Sequence, residues 1–455
     1  MTLIPGVFKA YDVRGLHGTE IDEEGAERIG RAFVEVVRQA TPGTPNPRIA
    51  VGHDVRLSSP SMADAFCAGA AAAGARVTEI GLAATEMVYF AVADGGYDAG
   101  AAITASHNPP QYTGAKLVLA GALPLSGDTG IGEVGRLAMA GEPAPAPGGS
   151  RERDDTVLGR FVDNCMGFVD ASKIGGMRVV LDAANGMAGV YLPPVLERIG
   201  IDAVPCFLDP DGRFPHHEPN PLLPENRAFI EAKVKEEGAD LGIAWDGDAD
   251  RCFFIDDRGE FVPGDFLTAL LAEHLLRRTG PSAIVYDLRA SWAVRDAITA
   301  AGGTPDEFRV GHAFIKRRMR EVDAVFAGEV SGHYYFKDFS FADTGLIPAL
   351  LVLELLGERG VKMSELIDGF RAKYHISGEI NSTVADAPAA IQRIRDAYRD
   401  GVQREIDGVS VDYDDWHFNV RASNTEPLLR LNLESLVSEA DMERRRDEVL
   451  ALIRA

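Results

Sequence analysis

The sequence predicts an α/β protein: three related α/β domains with mainly parallel sheets, then a smaller C-terminal α+β domain, all around a central cleft. Three observations carry that expectation. A strand–Asp–loop–helix pattern recurs three times, each copy is followed by a second apolar strand ending in a polar loop, and the pattern is lost after Arg371. The length of 455 residues suits several domains at roughly 150 residues each.

The first copy is RIAVGHD, from Arg48 to Asp54, followed by a polar turn and the helical stretch SPSMADAFCAGAAAAG. The second is RVVLD, from Arg178 to Asp182, leading through AANGMAG into YLPPVLERIG. The third is AIVYD, from Ala283 to Asp287, leading through LRAS into WAVRDAITAAGG. Each is a short β-branched strand, an Asp at its end, a loop, a helix and a Gly stop. The second strands are AGAAITASHN from Ala99, LGIAWDGD from Leu241 and AVFAGEVSGH from Ala324. Strands alternating with helices imply parallel sheets covered on both faces. Such sheets take ligands beyond the carboxyl ends of their strands, where all three polar loops lie.

The linkers are partly visible. GEPAPAPGGSRERDD, from Gly141 to Asp155, is Pro/Gly-rich and then charged, which marks a boundary. DDRGE, from Asp256 to Glu260, is a turn between apolar strands and a second boundary. Beyond Arg371 come a strand (HISGEINSTVA), a helix (AAIQRIRDAYRDGV), further strands and a last helix (SEADMERRRDEVLALIRA). The expected domains are 1–150, 151–256, 257–368 and 369–455.

Composition excludes several function classes. Lys and Arg number 46 against 69 Asp and Glu, a formal charge of −23. A general nucleic-acid binder needs a broad basic face, and docking on anionic lipid needs the same sign of charge. The 46% hydrophobic and 25% charged fractions are those of an ordinary globular protein. The N-terminus shows no basic segment followed by a long apolar stretch. The longest apolar run, LIPALLVLELL from Leu346 to Leu356, is well short of the roughly 20 residues that span a bilayer. Cys67, Cys165, Cys206 and Cys252 form no CxxC pair and read as buried thiols. The expectation is a cytoplasmic protein with no membrane or nucleic-acid partner.

Four loops can carry chemistry. In TASHNPP, Thr104 to Pro110, two prolines stiffen a loop that presents one hydroxyl, Ser106. That suits a nucleophile or phosphate carrier; the alternative is a plain Ser/Asn turn. A Ser-His-Asp hydrolase is a weaker option, since no G-x-S-x-G surrounds Ser106 and the adjacent His107 is poorly placed as its base. In DGDADR, Asp246, Asp248 and Asp250 alternate along an expected extended segment and offer hard oxygen ligands to a cation such as Mg²⁺, with Arg251 as nearby positive charge. An EF-hand is excluded because its sixth and twelfth positions would be Arg251 and Asp257; a solvated acidic turn is the remaining alternative. GEVSGH, Gly328 to His333, offers Glu329, Ser331 and His333 to sugar hydroxyls, or is a Gly turn with a structural histidine. RASNTEP, Arg421 to Pro427, gathers Arg421, Ser423, Asn424 and Thr425 as donors for phosphate oxygens, or is a polar hairpin.

These four motifs in this order, together with YDVRG from Tyr11 to Gly15, resemble the α-D-phosphohexomutase family over essentially the whole chain. The resemblance implies a mutase that moves phosphate between O6 and O1 of a hexose, carried on phosphorylated Ser106 through a hexose 1,6-bisphosphate. It implies one Mg²⁺ held by Asp246, Asp248, Asp250 and a phosphoserine oxygen. It places Arg14, His107, Lys116, Arg251 and His333 near the reacting atoms. Tyr11, Arg289, His312, Glu329, Ser331 and His333 map to sugar contacts, and Arg421, Ser423, Asn424 and Thr425 to the phosphate grip. Val330 in GEVSGH is the form that looks like phosphomannomutase/phosphoglucomutase members, whereas Gln there resembles phosphoglucosamine mutases. Thr113 stands where Asn is frequent in the family, and Arg289 where some members have Lys. Alternatives are a phosphoglucosamine mutase, a metal-dependent sugar phosphatase and an inactive sugar-phosphate sensor. The partners implied are hexose phosphates, and the assembly state is a monomer or weak dimer.

Overall fold

Runs of Val, Ile and Ala between Gly, Asp and Pro become strands buried along their length, as central strands of a sheet covered on both faces must be. The structure is a computed structural model that describes residues 2–127, 129–141, 145–422 and 428–455. The chain divides into two units, Met1–Val262 with Ser331–Met363, and Pro263–Val330 with Ser364–Ala455.

In the first unit the N-terminal sheet runs Val13–Leu16, Tyr112–Leu119, Ala99–Ile103, Arg48–His53, Arg76–Leu82, Ser150–Arg153, with Leu123–Pro124 beside Tyr112–Leu119. Arg48–His53 is parallel to Arg76–Leu82 on one side and to Ala99–Ile103 on the other. Tyr112–Leu119 then returns antiparallel to Ala99–Ile103, so residues 104–111 are the turn of a hairpin at the carboxyl end of a buried strand. Helices Glu23–Ala40 and Ser59–Ala72 pack face to face at two glycines. A Cβ on Gly30 would stand 2.2 Å from the Phe66 carbonyl oxygen, and one on Gly69 2.0 Å from that of Glu27. Only glycine permits that approach.

The second sheet runs Phe261–Val262, Cys252–Ile255, Leu241–Trp245, Gly175–Asp182, Gly200–Cys206. Gly175–Asp182 lies parallel between Leu241–Trp245 and Gly200–Cys206. Leu241–Trp245 pairs antiparallel with Cys252–Ile255, so the acidic motif is also a hairpin turn. It is not the extended segment expected from its alternating carboxylates. The Ala249 amide donates to the Asp246 carbonyl at 3.1 Å, and Ala249 has a left-handed φ of 65°. Turning, not extension, is what gathers the three side chains. The 256–260 turn joins two strands of this same sheet, since Phe254 pairs with Val262. The boundary expected between 256 and 257 therefore falls inside a hairpin. In the same unit Tyr334–Phe336 pairs antiparallel with Ala342–Asp343. The run Leu346 to Leu356 forms most of helix Leu346–Arg359 and is buried throughout. No helix among the described residues is long and apolar enough to cross a membrane. All four cysteines are buried and unbridged.

In the second unit Ala283–Asp287 lies parallel between Thr304–Phe308 and Phe326–Gly328. One arrangement thus occurs three times: a first strand flanked by its successor on one side and by the strand after that on the other. Sequence periodicity finds the first and third strands of each copy. The middle ones, Arg76–Leu82, Gly200–Cys206 and Thr304–Phe308, are only partly buried and carry polar residues, so they do not read as apolar runs. The C-terminal sheet runs His375–Ile376, Leu428–Ser435, Trp416–Ala422, Val409–Asp412, Val402–Arg404, with Ile380–Thr383 beside Leu428–Ser435. It is antiparallel, with helices Ala387–Ala397 and Glu439–Arg454 supplying Ile394, Val449 and Ile453 to its core.

Candidate active site

Two groups of the sequence-predicted residues assemble, one in each unit. In the first unit the hairpin after Ala99–Ile103 holds Ser106 at 4% exposure with a left-handed φ of 51°. That conformation costs a non-glycine residue about 1–2 kcal/mol, so neighbouring contacts must fix it. The Ser106 amide donates to Thr104 Oγ1 at 2.9 Å, and Ser106 Oγ donates to Asp246 Oδ2 at 3.1 Å. His107 Nδ1 is 3.2 Å from the same hydroxyl. Burial, with Arg251 and Arg14 close by, pushes the His107 imidazole well below its usual pKa, so it is neutral.

The hairpin after Leu241–Trp245 brings Asp246, Asp248 and Asp250 together, each with a carboxylate oxygen within 4.8 Å of the others. All three are at most 1% exposed. Lys116, on Tyr112–Leu119, donates to Asp248 Oδ2 at 2.7 Å and to Asp250 Oδ2 at 2.5 Å. Arg251 folds back on Asp246, its Nε 2.8 Å from Oδ2. Burial disfavours ionisation of Asp248, but the Lys116 ammonium overrides it and holds this carboxyl well below the usual range. Asp250 goes the other way: burial, reinforced by the Asp248 charge, pushes it well above. Burial also raises Asp246, against the pull of Arg251. Three carboxyls so close cannot all ionise without more positive charge. Asp248 Oδ1 and Asp250 Oδ1 accept no hydrogen bond from the described residues. Hard oxygen donors, a deficit of positive charge and two uncommitted buried oxygens fit a divalent cation.

Arg14, His333 and Ser331, also expected, lie in this unit. Arg14 donates to Asn108 Oδ1 at 2.6 Å and pairs with Asp12. His333 Nε2 stands 3.8 Å from Asp250 Oδ1, and its Nδ1 is 2.9 Å from Ser331 Oγ. A β-bridge between Arg251 and His333 ties the two loops. Tyr11 sits half-buried just before Val13–Leu16.

In the second unit three arginines converge on Glu379. Arg289 Nη1 lies 3.2 Å from its carboxylate, Arg421 Nη2 3.0 Å and Arg430 Nη1 3.1 Å. Burial works against the Glu379 charge, but the three guanidinium groups outweigh it and hold the carboxyl below its usual range. Asp287, at the end of Ala283–Asp287, fixes Arg289 by two bonds, Nε at 2.9 Å and Nη2 at 2.8 Å. Its Oδ2 also accepts the Val330 amide at 2.8 Å. Glu329 accepts the Gly311 amide at 3.0 Å, which sets it against the start of His312–Val322 and so beside His312 in the chain. Ser423, Asn424 and Thr425 lie outside the described residues.

Family models described as phosphoglucomutase/phosphomannomutase alpha/beta/alpha domains I, II and III match residues 5–134, 160–259 and 263–374, and the model of the C-terminal domain matches 379–452. The chain belongs to the phosphoglucomutase/phosphomannomutase family. A phosphomannomutase of Escherichia coli is 43% identical over 98% of this chain and 99% of its own length. A Xanthomonas campestris protein named for phosphohexose mutases is 42% identical over 98% and 99%. Among solved structures, a phosphoglucomutase/phosphomannomutase family protein from Burkholderia thailandensis superposes with a TM-score of 0.89 at 32% identity, covering 99% of this chain and 98% of that one. As a member of this family the chain is an isomerase, an intramolecular phosphotransferase acting on hexose phosphates.

Each group also contains residues that sequence reasoning missed. Thr85, at the start of helix Thr85–Asp94, donates its hydroxyl to Asp248 Oδ2 at 2.5 Å and its amide to the Asp248 carbonyl at 3.2 Å. Asp343 completes a second possible cation-binding set with Asp250 and His333. Glu379 and Arg430 belong to the arginine group. None stands in a recognisable motif. The only available signal is that each is a polar residue in or beside an apolar stretch, and that does not name its partner.

Proposed function

We propose that the chain interconverts hexose 6-phosphate and hexose 1-phosphate, with mannose phosphate and also glucose phosphate as substrates, through phosphorylated Ser106 and a hexose 1,6-bisphosphate. The observation that carries this reading is the Ser106 hydroxyl, held 3.1 Å from Asp246 in a left-handed turn, beside a cluster of three buried carboxylates. The curated phosphomannomutases at 42–43% identity support mannose phosphate as a substrate, and the family models named for phosphoglucomutase/phosphomannomutase support glucose phosphate beside it.

Asp246, Asp248 and Asp250, with an oxygen of phosphorylated Ser106, would hold one Mg²⁺. That ion, when bound, would withdraw charge from the phosphoryl group. A free sugar hydroxyl oxygen attacks phosphorus, the P–Oγ bond to Ser106 breaks, and the hydroxyl proton passes to a base lining the site. The resulting bisphosphate reorients; Ser106 Oγ, protonated as it left, attacks the other phosphate and gives up that proton, the P–O bond between this phosphate and the sugar breaks, and the freed sugar oxygen takes a proton back. Arg251 lies against Asp246, where its charge can stabilise the transferring group. Lys116, Arg14, His107 and His333 surround the same atoms and supply donors and proton acceptors. His107 Nδ1, 3.2 Å from the Ser106 hydroxyl, can share a hydrogen bond with it. Arg289, His312, Glu329, Ser331 and Tyr11 contact the sugar. Arg421, with Ser423, Asn424 and Thr425, binds the phosphate that is not reacting.

The test is turnover of mannose 1-phosphate, glucose 1-phosphate and glucosamine 1-phosphate with Mg²⁺ and a trace of bisphosphate primer. Formation of the 6-phosphates of mannose and glucose is expected. Release of inorganic phosphate without isomerised sugar would make the chain a phosphatase. Turnover confined to glucosamine 1-phosphate would overturn the choice of sugar.

A further inference from the structure

Arg56 is fully buried, with no exposed side-chain surface, in a segment that carries no recognised motif. All five of its guanidinium N–H groups have acceptors. Nη2 donates to the carbonyl oxygens of Ser106 and Asn108, each at 2.6 Å, and Nη1 to those of Pro109 at 2.7 Å and Tyr112 at 3.3 Å. Nε donates to Asp54 Oδ2 at 3.1 Å, and Asp54 Oδ1 accepts the Arg56 amide at 3.0 Å and the Ser59 hydroxyl. One side chain thus holds four carbonyls of the nucleophile hairpin, and its own position is set by a carboxylate at the end of the neighbouring strand Arg48–His53.

The cover over this arginine comes from the second sheet's loops. The Phe214 ring centre lies 5.3 Å from the guanidinium carbon. Gly212 presses against the arginine's own backbone, since a Cβ there would come within 2.3 Å of the Val55 carbonyl oxygen and 2.6 Å of Arg56 Cα.

From this geometry we infer that Arg56 is a positioning residue for phosphoryl transfer, which locks the Ser106 carbonyl and so aims the Ser106 hydroxyl at the reacting phosphorus. The Ser106 amide is already tied to Thr104 Oγ1. With its carbonyl tied to Arg56, both peptide groups around the left-handed Ser106 are fixed. These bonds serve stability too, since an apolar replacement would strip four carbonyls of their donor; what points beyond stability is that the carbonyls gripped are those of the Ser106 hairpin. A planar fork of five donors is what four carbonyls and a carboxylate need, and lysine cannot reproduce it. Misplacing a reacting group by about 1 Å costs on the order of 100-fold in rate. The inference rests on Ser106 being the phosphoryl carrier.

The experiment is Arg56→Lys in the full chain, read per folded molecule by circular dichroism and intact mass. The expected result is a kcat lower by about 100-fold, with KM for glucose 1-phosphate and the calorimetric affinity for Mg²⁺ within about twofold of wild type. Single-turnover transfer from the phosphorylated variant should be slowed as much as kcat. A wild-type kcat per folded molecule overturns the inference, and so does a loss confined to KM. Should Arg56→Lys fail to fold, Asp54→Asn is read by the same criteria, with about a tenfold fall in kcat expected. Phosphate found on a residue other than Ser106 in the wild type would instead overturn the carrier assignment, whatever the arginine variants do.

Discussion

The carboxylate group around Ser106 and the arginine group around Glu379 solve opposite electrostatic problems. In the first, three buried acids face one lysine and one arginine, and two carboxylate oxygens accept no hydrogen bond from the described residues. In the second, three arginines share one glutamate, and Arg421 Nε has no hydrogen-bond acceptor among the described residues. The first is short of positive charge and tightly bonded; the second has an excess of it around one carboxylate. On the proposed function, the first group should govern kcat and the second, as the phosphate grip, should govern KM.

The sharpest way to break that contrast is Ser106→Ala. It should lower kcat by at least about 1,000-fold, as loss of a covalent nucleophile does. Intact mass should show one phosphate on the wild type and none on the variant. Substantial residual turnover would move the carrier elsewhere.

Asp248→Asn comes next. It removes a charge bonded to both Lys116 and Thr85, and kcat should fall about 100- to 1,000-fold. Calorimetric Mg²⁺ binding should weaken with it. Unchanged metal affinity would take Asp248 out of the cation site.

Arg421→Ala addresses the other group. Losing a charged hydrogen bond to phosphate costs about 1.5–3 kcal/mol, so KM for sugar phosphate should rise tenfold or more while kcat changes much less. A fall in kcat alone would erase the distinction between the two groups.

The smallest effect concerns stability. Asp265, buried near the arginine group's own sheet strands, accepts the amides of Ser291 at 3.1 Å and Phe266 at 3.0 Å. Burial nevertheless pushes its carboxyl up to about 6, above the ordinary aspartate range. The folded protein therefore binds the proton more tightly than the unfolded chain. Stability from this group is present below about pH 4 and is lost as pH rises through about 6. The unfolding free energies of wild type and Asp265→Asn, compared at pH 4.5 and pH 7.5 in denaturant, should shift relative to each other by about 1–3 kcal/mol in the variant's favour at the higher pH. A pH-independent difference would show that the burial of Asp265 leaves its titration unchanged.

Much of the candidate site is legible in the sequence because its residues stand at strand ends. TASHNPP and DGDADR each follow five apolar residues, and a parallel strand's carboxyl end is where a fold of this kind presents side chains. Ser106 and the three aspartates are therefore readable from local pattern alone. The shape of the acidic loop is not: alternation suggests extension, whereas the pairing of Trp245 with Cys252 closes a turn. The donors expected at Ser423, Asn424 and Thr425 fall outside the described residues.

The sequence by itself determined the repeated α/β units, the smaller α+β C-terminal domain, the nucleophile candidate and the acidic cluster, since each depends on residues a few positions apart whose spacing follows strand and helix geometry. The tertiary structure alone decided which side chains serve them. Lys116 reaches Asp248 across 132 positions and Thr85 reaches it across 163. Arg56 grips Ser106 across 50, and Glu379 meets Arg289 across 90. Those pairings come from strand order and hairpin register, which no local spacing encodes, and burial then makes each polar group take the partner that packing brings within reach.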